Sequence, residues 1–544
     1  MNKQATLVKF KETGRVAIKV TFPYSKETVE KIKTIPGRKF HGDTYPKFWS
    51  CPPSVEAVKL LKEWGFEIEP SIYSFLQKKE EKENIKITEI PGLKKPLYPF
   101  QYEGVSFIER KDGKALIGDE MGLGKTAQAL AWLQLHPEKR PAVIVCPASL
   151  KLNWKKETEI WLENPQTQIL SGTKVEEEIT GKIVIINYDI LTAWLEKLKE
   201  IEPVVLILDE VHAIKNNSAK RTKTVKSLAK GIPHIIALSG TPIVNRPIEF
   251  YNALKLVDNE GIFPNFWSFA MRYCNAKHTR FGWDFSGSSN TEELHEKAKK
   301  VMIRRLKKDV LNDLPEKTRS FIPLELTNTG EYQKAENDFI QWVRETKGKE
   351  ASYRAENAQA VVKIEALKQL AVRGKLPQAI EWIKDFLETG EKLVVFATHI
   401  ETIDSLMKEF KEIAVKVDGS VTNEDRQKAV EKFQNDNTCK LFIGNIKAAG
   451  VGLTLTASSN VAFLELPWSP GDLVQAEDRV HRIGQKNAVN IHFLLASGTI
   501  EEAIAKMLDS KRQVLDSVLD GKETESESLL TELIKTYGKE KEND

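Results

Sequence analysis

The chain has 544 residues, and 81 Lys and Arg against 77 Asp and Glu leave a formal net charge of +4. Several domains of ordinary size are expected, each large enough to bury a core unaided, while the near-neutral balance excludes partner choice by bulk charge, so any surface for a polyanion is local. The four cysteines, Cys51, Cys146, Cys274 and Cys439, form no Cys-x-x-Cys pair, no apolar run reaches a membrane span of ~20 residues and the start MNKQATLVKFKETGR has no signal-peptide core; zinc fingers, disulfide frameworks and membrane anchors are excluded, and an intracellular protein is expected.

In chain order, Val16, Ile18, Val20 and Phe22 alternate with smaller or polar residues, the period of a half-buried strand. Gly42-Asp43 reads as a turn into a short strand around Phe48 and Trp49, and Val55, Val58 and Leu61 form a helical stripe within Ser54 to Trp64. Residues 1–77 are thus expected to form a small α+β module. The charge-rich KKEEKEN, followed by Pro91, Gly92 and Pro96, reads as a linker over 78–96. From Leu97 the pattern changes to continuous apolar strands separated by helical segments: Ala142 to Cys146, Ile183 to Ile186, Val204 to Leu208 and His234 to Leu238, and later Leu393 to Phe396, Lys440 to Ile443 and Val461 to Leu464. Such runs belong to parallel sheets covered on both faces. The fold class is α/β: two parallel-sheet lobes, 97–318 and 381–521, with a helical insertion over 319–380, where Val361, Ile364, Leu367 and Leu370 have helical spacing, and a polar tail at 522–544.

The chemistry concentrates in three places. Gly118 to Thr126, GDEMGLGKT, is a Gly-rich turn whose backbone N–H groups can close around phosphates, with Lys125 as a cation for the β/γ oxygens and Thr126 as a Mg²⁺ ligand. Asp119 stands where the general phosphate-loop pattern has Gly, so by pattern alone a plain turn opening a helix competes. VVLILDEVH ends an apolar strand in Asp209 and Glu210, at the sheet edge where α/β ligands bind; Asp209 suits Mg²⁺ and Glu210 suits activation of water, against the blander solvated strand end. In the second lobe Gln475, Arg479 and Arg482 have the i, i+4, i+7 spacing of one helix face, and the two guanidiniums are either structural ion pairs or fingers for a transferring phosphoryl group. The basic run around Arg304 and Arg305 reads equally as a phosphate contact or a solvated helix face.

Together GDEMGLGKT, LDEVH, LSGTP and QAEDRVHRIGQ resemble the Swi/Snf family of superfamily 2 helicase-like ATPases, and LYPFQYEGV, VIVCPASLKLNWKKE, RRLKKDVLNDLPEK and NIKAAGVGLTLT agree. The resemblance spans about Leu97 to Gly521 and implies two RecA-like lobes with ATP and Mg²⁺ as cofactors. It implies that Gln101 reads adenine, that Asp119, Glu120, Met121, Gly122, Leu123, Gly124, Lys125 and Thr126 bind phosphates, and that Thr126 and Asp209 hold Mg²⁺. Glu210 activates water, Arg479 and Arg482 are fingers, Gln475 faces the nucleotide, Gly450 and Gly452 lie in the loop that contacts nucleotide or nucleic-acid backbone, and His212, Ser239 and Thr241 couple hydrolysis to lobe movement. IPGRKF followed by FWSCP resembles the HARP domain of the SMARCA-like annealing helicases, with Arg38, Lys39 and Trp49 as candidate DNA contacts and Trp49 equally a core residue of a small module. The activity implied is that of an ATP-dependent double-stranded DNA translocase that remodels or reanneals branched DNA; a remodeller that displaces proteins from DNA and a nucleotide-gated scaffold are the alternatives. Double-stranded and branched DNA are the expected partners, with a single-strand-binding protein beside them, no membrane, and a monomeric state. The expected location is the cytoplasm, or the nucleus in a eukaryote. Nothing in the sequence resembles a strand-separating pin.

Overall fold

The structure, a computed structural model, describes residues 2–10, 16–240, 246–279, 282–285, 287–311, 314–346, 353–450 and 452–520. Among them are three main sheets, one in the N-terminal module and one in each of two α/β lobes.

The module's sheet runs in the order Lys39–His41, Phe48–Cys51, Val16–Thr21, Gln4–Lys9, Glu67–Ile68, antiparallel except at the last pairing. The helices Lys26–Lys33 and Val55–Glu63 begin at Ser25 and Ser54, whose side chains accept from the backbone N–H of Thr28 and Ala57 and so satisfy orphan helix donors. Their apolar faces meet Ala5, Ile18, Val20 and Cys51 in one small core, with Trp49 packed at its margin. A third helix, Pro70–Glu83, takes in the charged run expected to be linker. Pro70 suits a first helical turn, and Gln77 donates to Glu81 one turn on, so the polarity of 78–83 is that of a solvated helix face.

The first lobe carries seven parallel strands in the order Met302–Ile303, Lys114–Ile117, His234–Leu238, Val205–Leu208, Ala142–Cys146, Ile183–Asn187, Thr167–Ile169. Along Val205–Leu208, Leu206 and Leu208 enter one core and Val205 and Ile207 the other, which is why the sequence reads as an unbroken apolar run. The second lobe has six parallel strands, Lys317–Leu324, Val489–Ala496, Asn460–Phe463, Leu393–Ala397, Leu441–Asn445, Ala414–Val417. The stretch expected to open a helical insertion is therefore partly strand: Lys317–Leu324 forms the edge of this sheet, where Pro323 is tolerated. Nor are the helices Thr329–Thr346 and Tyr353–Glu388 a separate body, because Tyr332, Phe339, Ile364 and Leu367 belong to the second lobe's own core.

In the first lobe, Lys114–Ile117, His234–Leu238 and Val205–Leu208 are neighbours in the sheet. Their C-terminal ends therefore bring Gly118, Ser239 and Asp209 to one crevice, the place where open α/β sheets bind ligands.

Candidate nucleotide site between the lobes

The loop after Ile117 reaches the helix Lys125–Leu135 through two left-handed glycines, Gly122 (φ +86°) and Gly124 (φ +75°). At Gly124 a Cβ would also fall 2.3 Å from Gln101 Nε2, so only glycine fits. Lys125 lies at the first helical turn and donates its ammonium back to its own loop, to the Asp119 carbonyl (2.9 Å) and the Glu120 carbonyl (3.4 Å). Burial pushes this ammonium below its ordinary pKa, against the opposing pull of Glu210, Asp119 and Asp209.

Asp119 has a clear physical role. Its side chain is fully buried, accepts from Arg305 Nε (3.0 Å) and the Arg305 backbone N–H (3.1 Å), and accepts from Gln128 Nε2 (2.9 Å). Arg305 also donates to the Phe100 carbonyl and to Gln128 Oε1. The carboxylate thus clamps the loop through Arg305 and Gln128, while the Asp119 carbonyl accepts from Lys125. Arg305 is correspondingly not a surface cation: its side chain is 13% exposed. Arg304 is half-buried and donates to the Gly118 carbonyl. The phosphate-contact reading of this pair is corrected by these bonds, since both side chains are spent on the first lobe. Gln101 is buried, donates to the Leu123 carbonyl (3.1 Å) and accepts from Tyr98 N–H (3.0 Å), so it braces the loop from the helix Pro99–Arg110.

Opposite Lys125, Asp209 is held by Trp154 Nε1–H on Oδ2 (2.7 Å) and by the Glu210 N–H on Oδ1 (2.9 Å). Burial, and then the neighbouring Glu210 charge, push Asp209 up to about 6. Glu210 has φ +46°, a left-handed conformation costly for a residue with a Cβ and of the kind concentrated at functional sites. Burial would raise its pKa, but His212 at 3.3 Å and the charges of Lys125 and Arg479 hold it below the usual carboxylate range. Glu210 Oε2 is buried, with His212 Nδ1 as its neighbour at that distance. His212 Nδ1 also lies 3.5 Å from Ser239 Oγ, so a short chain runs from Glu210 to the segment after His234–Leu238. Thr241 lies outside the described residues.

The second lobe reaches into this crevice. The helix Pro470–Glu477 ends before the two arginines, so Arg479 and Arg482 lie on the turns that follow and not on one continuous helix face. Two buried acids end the helix here: Glu477 accepts from Lys317 (2.8 Å) and Arg319 Nε (2.8 Å), and Asp478 pairs with Lys307 (2.9 Å). Arg479 donates from Nε to the Gln475 carbonyl (3.0 Å) and from Nη2 toward Met121 Sδ (3.7 Å) in the phosphate loop. Burial and the nearby Arg482 bring Arg479 down to about 10, while Glu210 and Asp209 pull it up. Arg482 lies so close that a Cβ on Gly122 would meet its Cβ at 2.9 Å. Gly452 touches the first lobe directly, since a Cβ there would overlap Leu150. It is an interlobe contact in this arrangement.

Arg38 and Lys39 are exposed on the N-terminal module, while Trp49 is half-buried and packs on Phe40 with ring centroids 5.0 Å apart. Sequence reasoning missed Trp154, Lys307 and Gln128 as parts of the nucleotide site and gave Arg305 only as a candidate nucleic-acid contact. Trp154, Arg305 and Lys307 lie in segments that carry the family resemblance, VIVCPASLKLNWKKE and RRLKKDVLNDLPEK, but their partners stand far away in sequence. Among the described residues no three His, Cys, Asp or Glu side chains gather as a metal site, and no helix is long and apolar enough to cross a membrane.

Residues 100–374 match the SNF2-related domain and residues 378–484 the helicase conserved C-terminal domain. The chain is 36% identical over 455 residues to the DNA annealing helicase and endonuclease ZRANB3 of Mus musculus, covering 79% of this chain and 41% of that protein, so it spans under half of that relative's length. It is 33% identical over 527 residues to the SWI/SNF-related matrix-associated actin-dependent regulator of chromatin subfamily A-like protein 1 homolog of Caenorhabditis elegans, covering 92% of this chain and 74% of that one. The SWI2/SNF2 ATPase core of Sulfolobus solfataricus in complex with dsDNA aligns with 80% of this chain and 95% of its own at 25% identity, with a TM-score of 0.39, too loose a likeness to argue from.

Proposed function

The chain belongs to the SNF2-related family of helicase-like ATPases, and from that premise we propose that it is a DNA-dependent ATPase that moves along duplex DNA and remodels or reanneals branched DNA. The observation that carries the reading is the approach of Arg479 to Met121, which brings a second-lobe cation to a phosphate loop on the first. Lys125 would leave its loop carbonyls for the β/γ oxygens of ATP, and Arg479 and Arg482 would neutralise charge on the transferring phosphoryl group only when the lobes are closed. Glu210, held ionised by His212, would take the proton of the attacking water. Thr126 and Asp209 would hold Mg²⁺, which needs only one or two protein ligands beside phosphate and water and would neutralise phosphate charge; a hydroxyl and a buried carboxylate are oxygen donors that suit it. His212, Ser239 and Thr241 would pass the state of the nucleotide to the interlobe crevice.

ZRANB3 is named for DNA annealing, and extending that substrate class to this chain makes branched DNA, with a single-strand-binding protein alongside, the setting in which it acts as an intracellular monomer. On this reading the N-terminal module is HARP-like, and exposed Arg38 and Lys39 contact DNA phosphates at a junction.

The test is ATP turnover without nucleic acid and with single-stranded, duplex and forked DNA and RNA. Duplex and forked DNA should raise the rate most. Lys125→Ala should abolish turnover, and Glu210→Gln should bind ATP but turn over ~10²-fold or more slowly. A rate that no DNA raises would refute the proposal. Arg38→Glu with Lys39→Glu should reduce stimulation by forks more than by plain duplex; equal losses would make the module a brace only.

A further inference from the structure

Asp209 and the two arginines reach the crevice from different lobes, yet a line of contacts joins them through one helix of the first lobe. On its buried side the helix Lys151–Trp161 carries Trp154, 1% exposed, whose indole N–H donates to Asp209 Oδ2 (2.7 Å). The helix is entered through the turn Ala148–Leu150, and there the second lobe docks. A Cβ on Gly452 would fall 1.8 Å from Leu150 Cδ2, and Asn423 Nδ2 donates to the Ala148 carbonyl (3.4 Å). The residue after Gly452 holds the arginines: the Leu453 carbonyl accepts from Arg479 Nη1 (3.3 Å) and from Arg482 Nη1 (3.2 Å). Leu455 N–H donates in turn to the Arg479 carbonyl (2.9 Å). Leu150 and Trp154 belong to one core cluster and stand four residues apart, the spacing at which side chains of a helix meet. A shift of the arginine loop is therefore felt at Leu150, and a shift of Leu150 at the indole.

The indole matters because of what it sets. Asp209 Oδ1 accepts from the Glu210 N–H (2.9 Å), a donor that belongs to the same turn and moves with it. The Asp209 carbonyl is fixed by the Tyr188 hydroxyl (2.7 Å). Trp154 is the donor that comes to the carboxylate from another element, so it sets the rotation of that group on its fixed backbone. Magnesium sites demand near-ideal octahedral geometry, so the direction of the remaining lone pairs decides how well Asp209 serves as a ligand. An indole N–H only donates, so it orients the carboxylate without competing for the metal.

We propose that Trp154 is a positioning residue that ties the orientation of the Asp209 carboxylate toward Mg²⁺ to the docking of the second lobe's arginine loop on Leu150. The role rests on the reading of the chain as an ATPase and adds to it the element by which lobe closure reaches the metal-holding carboxylate.

The test uses the full chain and a fluorescent, non-hydrolysable ATP analogue, whose equilibrium binding is measured in EDTA and across a Mg²⁺ titration. Trp154→Phe keeps a ring and drops the donor. It should raise the Mg²⁺ midpoint roughly tenfold, the cost of losing a hydrogen-bond partner of a metal ligand, with affinity in EDTA within about twofold of the wild type. Leu150→Ala should raise the midpoint about threefold in the wild-type chain and add nothing in Trp154→Phe, where the line is already cut. Asn423→Ala, which leaves the first lobe's core untouched, should act in the same direction. An unmoved midpoint in Trp154→Phe would overturn the role, and so would an equal loss of affinity in EDTA, the result that packing alone produces. Effects of Leu150→Ala and Trp154→Phe that simply add would overturn the tie to the second lobe. A wild-type chain whose nucleotide binding ignores Mg²⁺ would overturn the ATPase reading together with the proposal.

Discussion

Asp119 is the residue at which local pattern and three-dimensional context diverge. In isolation a buried carboxylate beside a phosphate loop is a liability, because it repels the ligand and loses hydration. Paired with Arg305 and Gln128 it becomes the fastener that holds Gly118 to Gly124 in place. Removing one partner of a buried ion pair leaves an uncompensated charge and costs ~3–5 kcal/mol. Arg305→Ala should therefore lower the melting temperature and raise the KM for ATP at least tenfold, and Asp119→Asn in the same chain should recover part of both losses. Thermal unfolding with ATP titrations checks this; an unaltered KM would mean that the loop holds its shape without the clamp. Glu210 belongs to the same scale, with a left-handed backbone next to the fully buried Val211.

At the scale of elements, the arginines are positioned by the residues that precede them. Glu477 and Asp478 anchor the end of the helix Pro470–Glu477. Upstream, Trp468 Nε1–H donates to Glu365 on the long helix Tyr353–Glu388 (3.0 Å), and Glu365 shares His399 with Glu465. Hydrogen bonds that His399 donates to Glu365, and then to Glu465, push it up to about 9 in spite of burial. A histidine whose pKa is raised by folding contributes stability that is complete below its ordinary 6.5 and is lost as pH rises through about 9. The second lobe should accordingly melt a few degrees lower at pH 9.5 than at pH 6.5, and His399→Gln should flatten that part of the profile. Calorimetry across this window decides the matter, and an equally steep profile in the variant would remove His399 from the account.

Across the whole molecule, Lys307 joins the lobes through its backbone N–H and its buried ammonium. Its backbone N–H donates to Glu120 Oε2 (2.7 Å) in the phosphate loop, while its ammonium pairs with Asp478 (2.9 Å) and donates to the His481 carbonyl across the crevice. Burial lowers its pKa and Asp478 opposes the shift. Lys307→Met should slow turnover at least tenfold with nucleotide affinity within about threefold, because the change falls on lobe closure. Adding Asp478→Asn should recover some of the rate, since it removes the stranded charge. A collapse of nucleotide affinity with preserved turnover would place Lys307 in binding.

What the sequence determined by itself was everything encoded over short range. Unbroken apolar runs specified the strands of both lobes, because strands buried on two faces have no polar side. The spacing of Gly122, Gly124, Lys125 and Thr126 specified a phosphate loop, because its geometry is made by consecutive residues. Edge strands escaped it: Lys317–Leu324 is half-exposed, mixes charges with apolar residues and reads as neither strand nor helix. The hairpin of Lys277–Thr279 with Gly282–Asp284 escaped it too, since three-residue strands carry no measurable period. Only the tertiary structure decided which charges meet. Arg305 with Asp119, Lys307 with Asp478 and Arg319 with Glu477 are joined across more than 150 residues of chain. A basic run looks the same in sequence whether it faces water or a buried carboxylate, and the choice follows from where the two sheets and the crevice between them bring the backbone.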